Sequence, residues 1–84
     1  MNTIFLLMAE FESAAVKLSD CYHYLGYTTN KHAQEAARTF DTPIPVFRGS
    51  DSQKAPRMVR LVDLANYLDQ RADDAKDRFE KVHS

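Results

Sequence analysis

The stretch RGSDSQKAPRMVRLVDLANYLD, residues 48–69, decides the fold. A polar loop, GSDSQKAP, separates two short apolar segments, IPVFR before it and RMVRL after it. Partial alternation in both predicts a pair of strands, with the loop too long for a tight turn. Pro43 and Pro45 block any helix there, because proline lacks the N–H that a helix interior uses. Arg48, Lys54, Arg57 and Arg60 crowd this hairpin, and its tip carries Ser50, Ser52 and Gln53. From residue 62 the pattern changes period. Leu64, Leu68, Ala72, Ala75, Phe79 and Val82 step by four or three, which predicts a helix over 62–82, about 30 Å long. The late steps are heptad-like.

The segment before the hairpin reads as helices. TIFLLMAEF, residues 3–11, suits a short helix capped by Asn2 or Thr3, with Ile4, Leu7, Met8 and Phe11 on one face. AAVKL, residues 14–18, is expected to be briefly extended. Ser19 is a candidate N-cap for a helix through DCYHYLG, and Gly26 suits its C-terminal cap. Thr28 or Thr29 can cap a second helix running to Arg38 or Phe40. Ala33, Ala36, Ala37 and Phe40 form its expected buried stripe, with Lys31, His32, Gln34, Glu35 and Arg38 outward. Short helix, turn and second helix in series is the order of a helix-turn-helix unit, and the basic hairpin after it is placed as a wing.

The fold class expected is therefore mainly α with a small β-hairpin: a winged helix-turn-helix plus an N-terminal helix and a long C-terminal helix. A chain of 84 residues is one small domain. It divides into an N-terminal helix (1–15), a helix-turn-helix (16–42), a wing (43–61) and a C-terminal helix (62–82).

Charge is distributed unevenly although the net is −1. Residues 30–60 hold six basic and three acidic side chains, a net of +3, between two flanks of −2 each. A basic middle with polar second-helix residues points to double-stranded nucleic acid. Lysine and arginine displace phosphate counterions, while Asn and Gln suit adenine and Arg or Lys suits guanine. The candidate DNA-binding residues are Thr29, Asn30, Lys31, His32, Gln34 and Arg38 on the second helix, and Ser52, Gln53, Lys54 and Arg57 on the wing. Alternation turns one strand face toward a duplex, so Lys54 and Arg57 are preferred over Arg48 and Arg60.

Other chemistries find little support. Cys21 and His23 are two apart and diverge on a helix, and His23, His32 and His83 have no metal-ligand spacing. The acidic residues of the last helix are mixed with Arg71, Lys76, Arg78 and Lys81, as on a solvated face. No catalytic residue, cofactor or metal is expected. One cysteine allows no intrachain disulfide and fits a reducing cytoplasm. IFLLM is too short for a membrane span and lacks the basic flank of an export signal.

MNTIFLLMAEF together with FRGSDSQKAPRMVRLVDLANYLD resembles the pyocin activator protein (PrtN) family, over residues 1–75. The run SQKAPR, followed by the valine, leucine and DLA–YLD positions, is the specific part. The middle matches more loosely, at Val16, Leu18, Tyr22 and Tyr24. The strand–loop–strand–helix order is also similar to excisionase and MerR-type winged helices, where a Ser or Thr commonly stands in the place of Val62. The resemblance implies a bacterial, cytoplasmic transcription activator of bacteriocin or prophage-type genes that binds promoter DNA. Ser52, Gln53, Lys54 and Arg57 match the family's wing run. A homodimer or higher homo-oligomer is expected, with RNA polymerase a candidate partner through the N-terminal or the acidic C-terminal helix. The rival readings are an excisionase-like architectural DNA-bending factor and a protein-interaction module or antirepressor.

Overall fold

The computed structural model describes residues 2–83. Helix α1 spans Thr3–Phe11. Asn2 Oδ1 accepts from the Ile4 amide at 3.0 Å and so satisfies one of the donors a helix start leaves open. The helix ends at Glu12, whose left-handed backbone (φ 53°) lets its amide donate to Met8 O at 2.7 Å. Leu7 is buried, with Ile4 and Phe11 packed beside it.

Strand β1, Ala15–Lys17, runs directly into α2, Leu18–Cys21. The Ser19 cap expected from sequence is not used: α2 begins two residues earlier, after Lys17, with no side-chain cap. Leu18, fully buried, fixes that entry by packing rather than by hydrogen bonding. The helix expected through DCYHYLG tightens after Cys21 into a 3₁₀ turn, Tyr22–Leu25. Gly26 ends it with φ 89°, in the left-handed region that glycine enters without steric cost, and its amide donates to His23 O at 3.1 Å.

Helix α3, Asn30–Arg38, starts at Thr29, whose hydroxyl accepts from the His32 amide at 3.1 Å. Ala33 and Ala37 are buried, and their size lets α3 lie close against α2. Phe40 does not complete the stripe: it is 94% exposed. The helix stops two residues short of it. The Asp41 amide donates to Ala36 O at 2.8 Å and the Phe40 amide to Ala37 O at 3.2 Å. That is a Schellman ending with Phe40 (φ 57°) at the position glycine usually fills.

The hairpin is smaller than expected and is part of a larger sheet. Strand β2 is only Phe47–Arg48, because Pro45 has no amide to offer a ladder. Strand β3, Arg57–Arg60, is central: it pairs antiparallel with β2 on one edge and with β1 on the other. Val16 sits opposite Val59, and Arg48 opposite Arg57. Helix α4, Leu61–His83, follows β3 without a break, one residue earlier than expected. No hydroxyl cap is needed at Val62, since the Leu61 amide donates to Ala14 O at 2.9 Å and carries the β1–β3 ladder into the helix.

The buried residues form one cluster in which Leu18, Val59, Leu61 and Leu64 are the largest. Each such aliphatic side chain contributes about 1.5–3 kcal/mol on burial. Helix α1 lies antiparallel along the first half of α4, with Thr3 bonded to Asp69 near one end. The second half of α4, residues 70–83, is exposed throughout. The radius of gyration, 14.4 Å, accordingly exceeds the roughly 12 Å of a compact chain of this length.

Candidate nucleic-acid interface

Helix α3 and the hairpin adjoin on one side of the molecule. Arg57, on β3, donates from Nη1 to Gln34 Oε1 at 3.0 Å. Gln34 Nε2 in turn donates to Asn30 Oδ1, one helical turn earlier, also at 3.0 Å. Three of the residues singled out from sequence therefore form one chain of hydrogen bonds running from the sheet to the first turn of α3.

Between these elements lies an open groove of about 690 Å³, lined by Arg38 at the end of α3, by Phe40 just beyond it and by Arg48, Gln53 and Arg57 from the hairpin, among others. Arg48 and Arg57 are cross-strand partners and so share a face of the sheet. Preference for Arg57 over Arg48 thus does not survive the register: the two stand side by side. Arg60, three residues from Arg57, falls on the opposite face and is exposed. Like charges placed directly opposite each other on two strands destabilise the pair, unless an anion lies between them.

Of the candidates only Arg38, Gln53 and Arg57 line this groove; the others lie outside its lining. Thr29 is occupied as the cap of α3. Lys31 and His32 are exposed on its first turn, and His32 lies edge-on to Tyr27, ring centres 5.5 Å apart. Arg38 is held by Glu35 on its own helix, with Nε 3.1 Å from Oε2. This bond keeps the Glu35 carboxyl below its ordinary value, and the charges of Arg38 and Arg57 act in the same direction. At the hairpin tip, Ser52 Oγ accepts from the Lys54 amide at 3.2 Å and Ser50 Oγ from the Ser52 amide at 3.3 Å. The hydroxyls brace the loop, leaving Gln53 and Lys54 projecting from it, exposed.

The model of the family described as pyocin activator protein PrtN matches residues 3–75. The chain belongs to that family. The match takes in every residue of the groove and ends inside α4, and it makes the chain a member of a family of regulatory activators. No curated protein and no solved structure matches it. Among the described residues no helix is long and apolar enough to cross a membrane, and no group of His, Cys, Asp and Glu side chains could hold a metal ion.

Sequence reasoning placed Phe40 in the core and ranked Arg48 below Arg57. The register that brings Arg48 beside Arg57 depends on which residues of an eight-residue loop stay unpaired, and Phe40 stands where helical spacing implies burial.

Proposed function

We propose that this chain is a sequence-specific double-stranded DNA-binding activator of bacteriocin-type genes, built as a winged helix-turn-helix. Helix α3 enters the major groove with Asn30, Lys31, His32 and Gln34, and the hairpin follows the neighbouring sugar-phosphate backbone with Gln53 and Lys54. Arg48 and Arg57, side by side with Arg38 across the groove, receive a phosphate. Phe40 offers apolar contact to a deoxyribose or a thymine methyl group.

The observation that carries this reading is the Arg57–Gln34 bond, which holds the basic hairpin and the polar helix on a common side. Membership of an activator family supports the regulatory role. Selection of bound fragments from random duplex DNA, at two salt concentrations, tests it. A shared motif should emerge at both, and Lys54→Ala should weaken binding to all sequences alike while lowering the salt slope by about one. Recovery of no motif, with no salt-dependent binding, would refute it.

A further inference from the structure

The hydrophobic seam of α4 continues past the point where the protein covers it. Leu61, Ala65, Leu68, Ala72, Ala75, Phe79 and Val82 occupy alternating core positions of a heptad pattern. Leu61 and Ala65 are buried and Leu68 is half-buried, but the rest of the seam lies in water. Phe79 is 62% exposed and Val82 79%. An isolated helix of this length is marginal in water, so this half of α4 lacks the packing that ordinarily stabilises one.

A second uncovered apolar face lies on α1. Ile4, Leu7 and Phe11 turn inward, while Phe5 (67% exposed), Leu6 (54%) and Ala9 face out. Helix α1 is about 13 Å long and the uncovered seam of α4 about 16 Å, so one spans the other.

Charge says what covers each. Along the seam's exposed half, Asp73, Asp74, Asp77 and Glu80 all lie at positions away from the seam, while Arg71, Lys76 and Arg78 flank it. Two such tails paired in parallel would set Arg71 against Lys76. Paired antiparallel, they would set Arg71 against Arg78. Either arrangement juxtaposes like charges. Helix α1 is the opposite case. The chain has no lysine or arginine before Lys17, and Glu10 and Glu12 stand at the C-terminal end of α1.

We propose that two copies of this chain exchange arms: the second half of α4 of each lies across the outer face of α1 of the other. Phe79 and Val82 cover Phe5, Leu6 and Ala9, and Arg71 and Arg78 approach Glu10 and Glu12. A twofold axis makes the same contact twice, as in an isologous dimer. The exchange stands independently of DNA binding.

Sedimentation equilibrium and disulfide trapping test it. The wild-type chain should be a dimer, and Phe79→Ser or Leu6→Glu should each raise its dissociation constant at least about tenfold. Arg71→Glu with Arg78→Glu should weaken it, and Glu10→Lys with Glu12→Lys in the same chain should restore it. Circular dichroism of each variant confirms that residues 3–69 still fold. A Leu6→Cys chain mixed with a Phe79→Cys chain should form a mixed disulfide, native Cys21 being buried. Self-linking of Phe79→Cys alone would mean that tails pair with tails, and a monomer at all concentrations would leave the faces to another protein. Either result overturns the exchange.

Discussion

Arg57 and Gln34, 23 positions apart in the chain, are joined by a hydrogen bond of 3.0 Å that is partly shielded from water. It ties the central strand of the sheet to α3. A double-mutant cycle of Gln34→Ala and Arg57→Ala, followed by urea unfolding, should give a coupling of about 0.5–1.5 kcal/mol. Additive effects would mean that the hairpin is positioned by its backbone alone.

Phe40 bears two costs at once. It occupies a left-handed backbone position and exposes an aromatic ring to water. Phe40→Gly should therefore stabilise the fold by about 1–2 kcal/mol, since the strain of a left-handed L-residue disappears. For a domain of this size that raises Tm by roughly 4–8 °C per kcal/mol. If the ring contacts DNA, affinity falls in the same variant. Phe40→Ala separates the effects, because it removes the ring and keeps the backbone cost. Its affinity should fall equally, with Tm nearly unchanged.

Glu35 restrains Arg38. The two side chains are paired within one helix, both exposed, and Arg38 lines the groove. Glu35→Gln releases the guanidinium and, on the proposed DNA-binding reading, removes a negative charge facing a polyanion. DNA binding should tighten, and the salt slope should steepen by about one, as one more phosphate is neutralised. Arg38→Ala placed in the Glu35→Gln background should cancel the gain. A persistent gain would assign the effect to the lost carboxylate alone.

The parts of the fold legible in the sequence were those set by period and by caps. Helix α4 shows in its four-and-three spacing, α3 in Thr29 and its alanines, and the end of the 3₁₀ turn in Gly26. What stayed hidden depends on long-range pairing. Nothing local in AVK says that β1 will take the far edge of β3, converting a hairpin into a three-stranded sheet. The start of α4 at Leu61 follows from that pairing too, since its amide is held by Ala14. Gln34 and Arg57 were both marked by chemistry, but their contact is a product of the fold. Phe40 misled because period describes a helix and not its ending.

Cys21 gives the stability an alkaline limit. The thiol is buried in the core, and burial, with a smaller push from Asp20, raises its pKa from 9.0 to about 11. Below pH 9 the folded and unfolded chains both hold the proton, so this group adds no pH dependence. Between pH 9 and about 11 the unfolded chain loses it while the folded chain keeps it, and stability must fall as pH rises. Tyr24, whose hydroxyl donates to Glu10 at 2.6 Å, and Tyr27, desolvated beside Asp41, are also raised and steepen the decline in the same direction. Urea unfolding at intervals from pH 7 to 11 should show a plateau and then a downward slope. Cys21→Ala should lower the plateau by leaving a small cavity, yet flatten the first part of the slope. Iodoacetamide at pH 8 should leave the native thiol unmodified and label it in urea. Rapid labelling of the folded chain would show that the α2 core opens, and would remove the basis for the predicted slope.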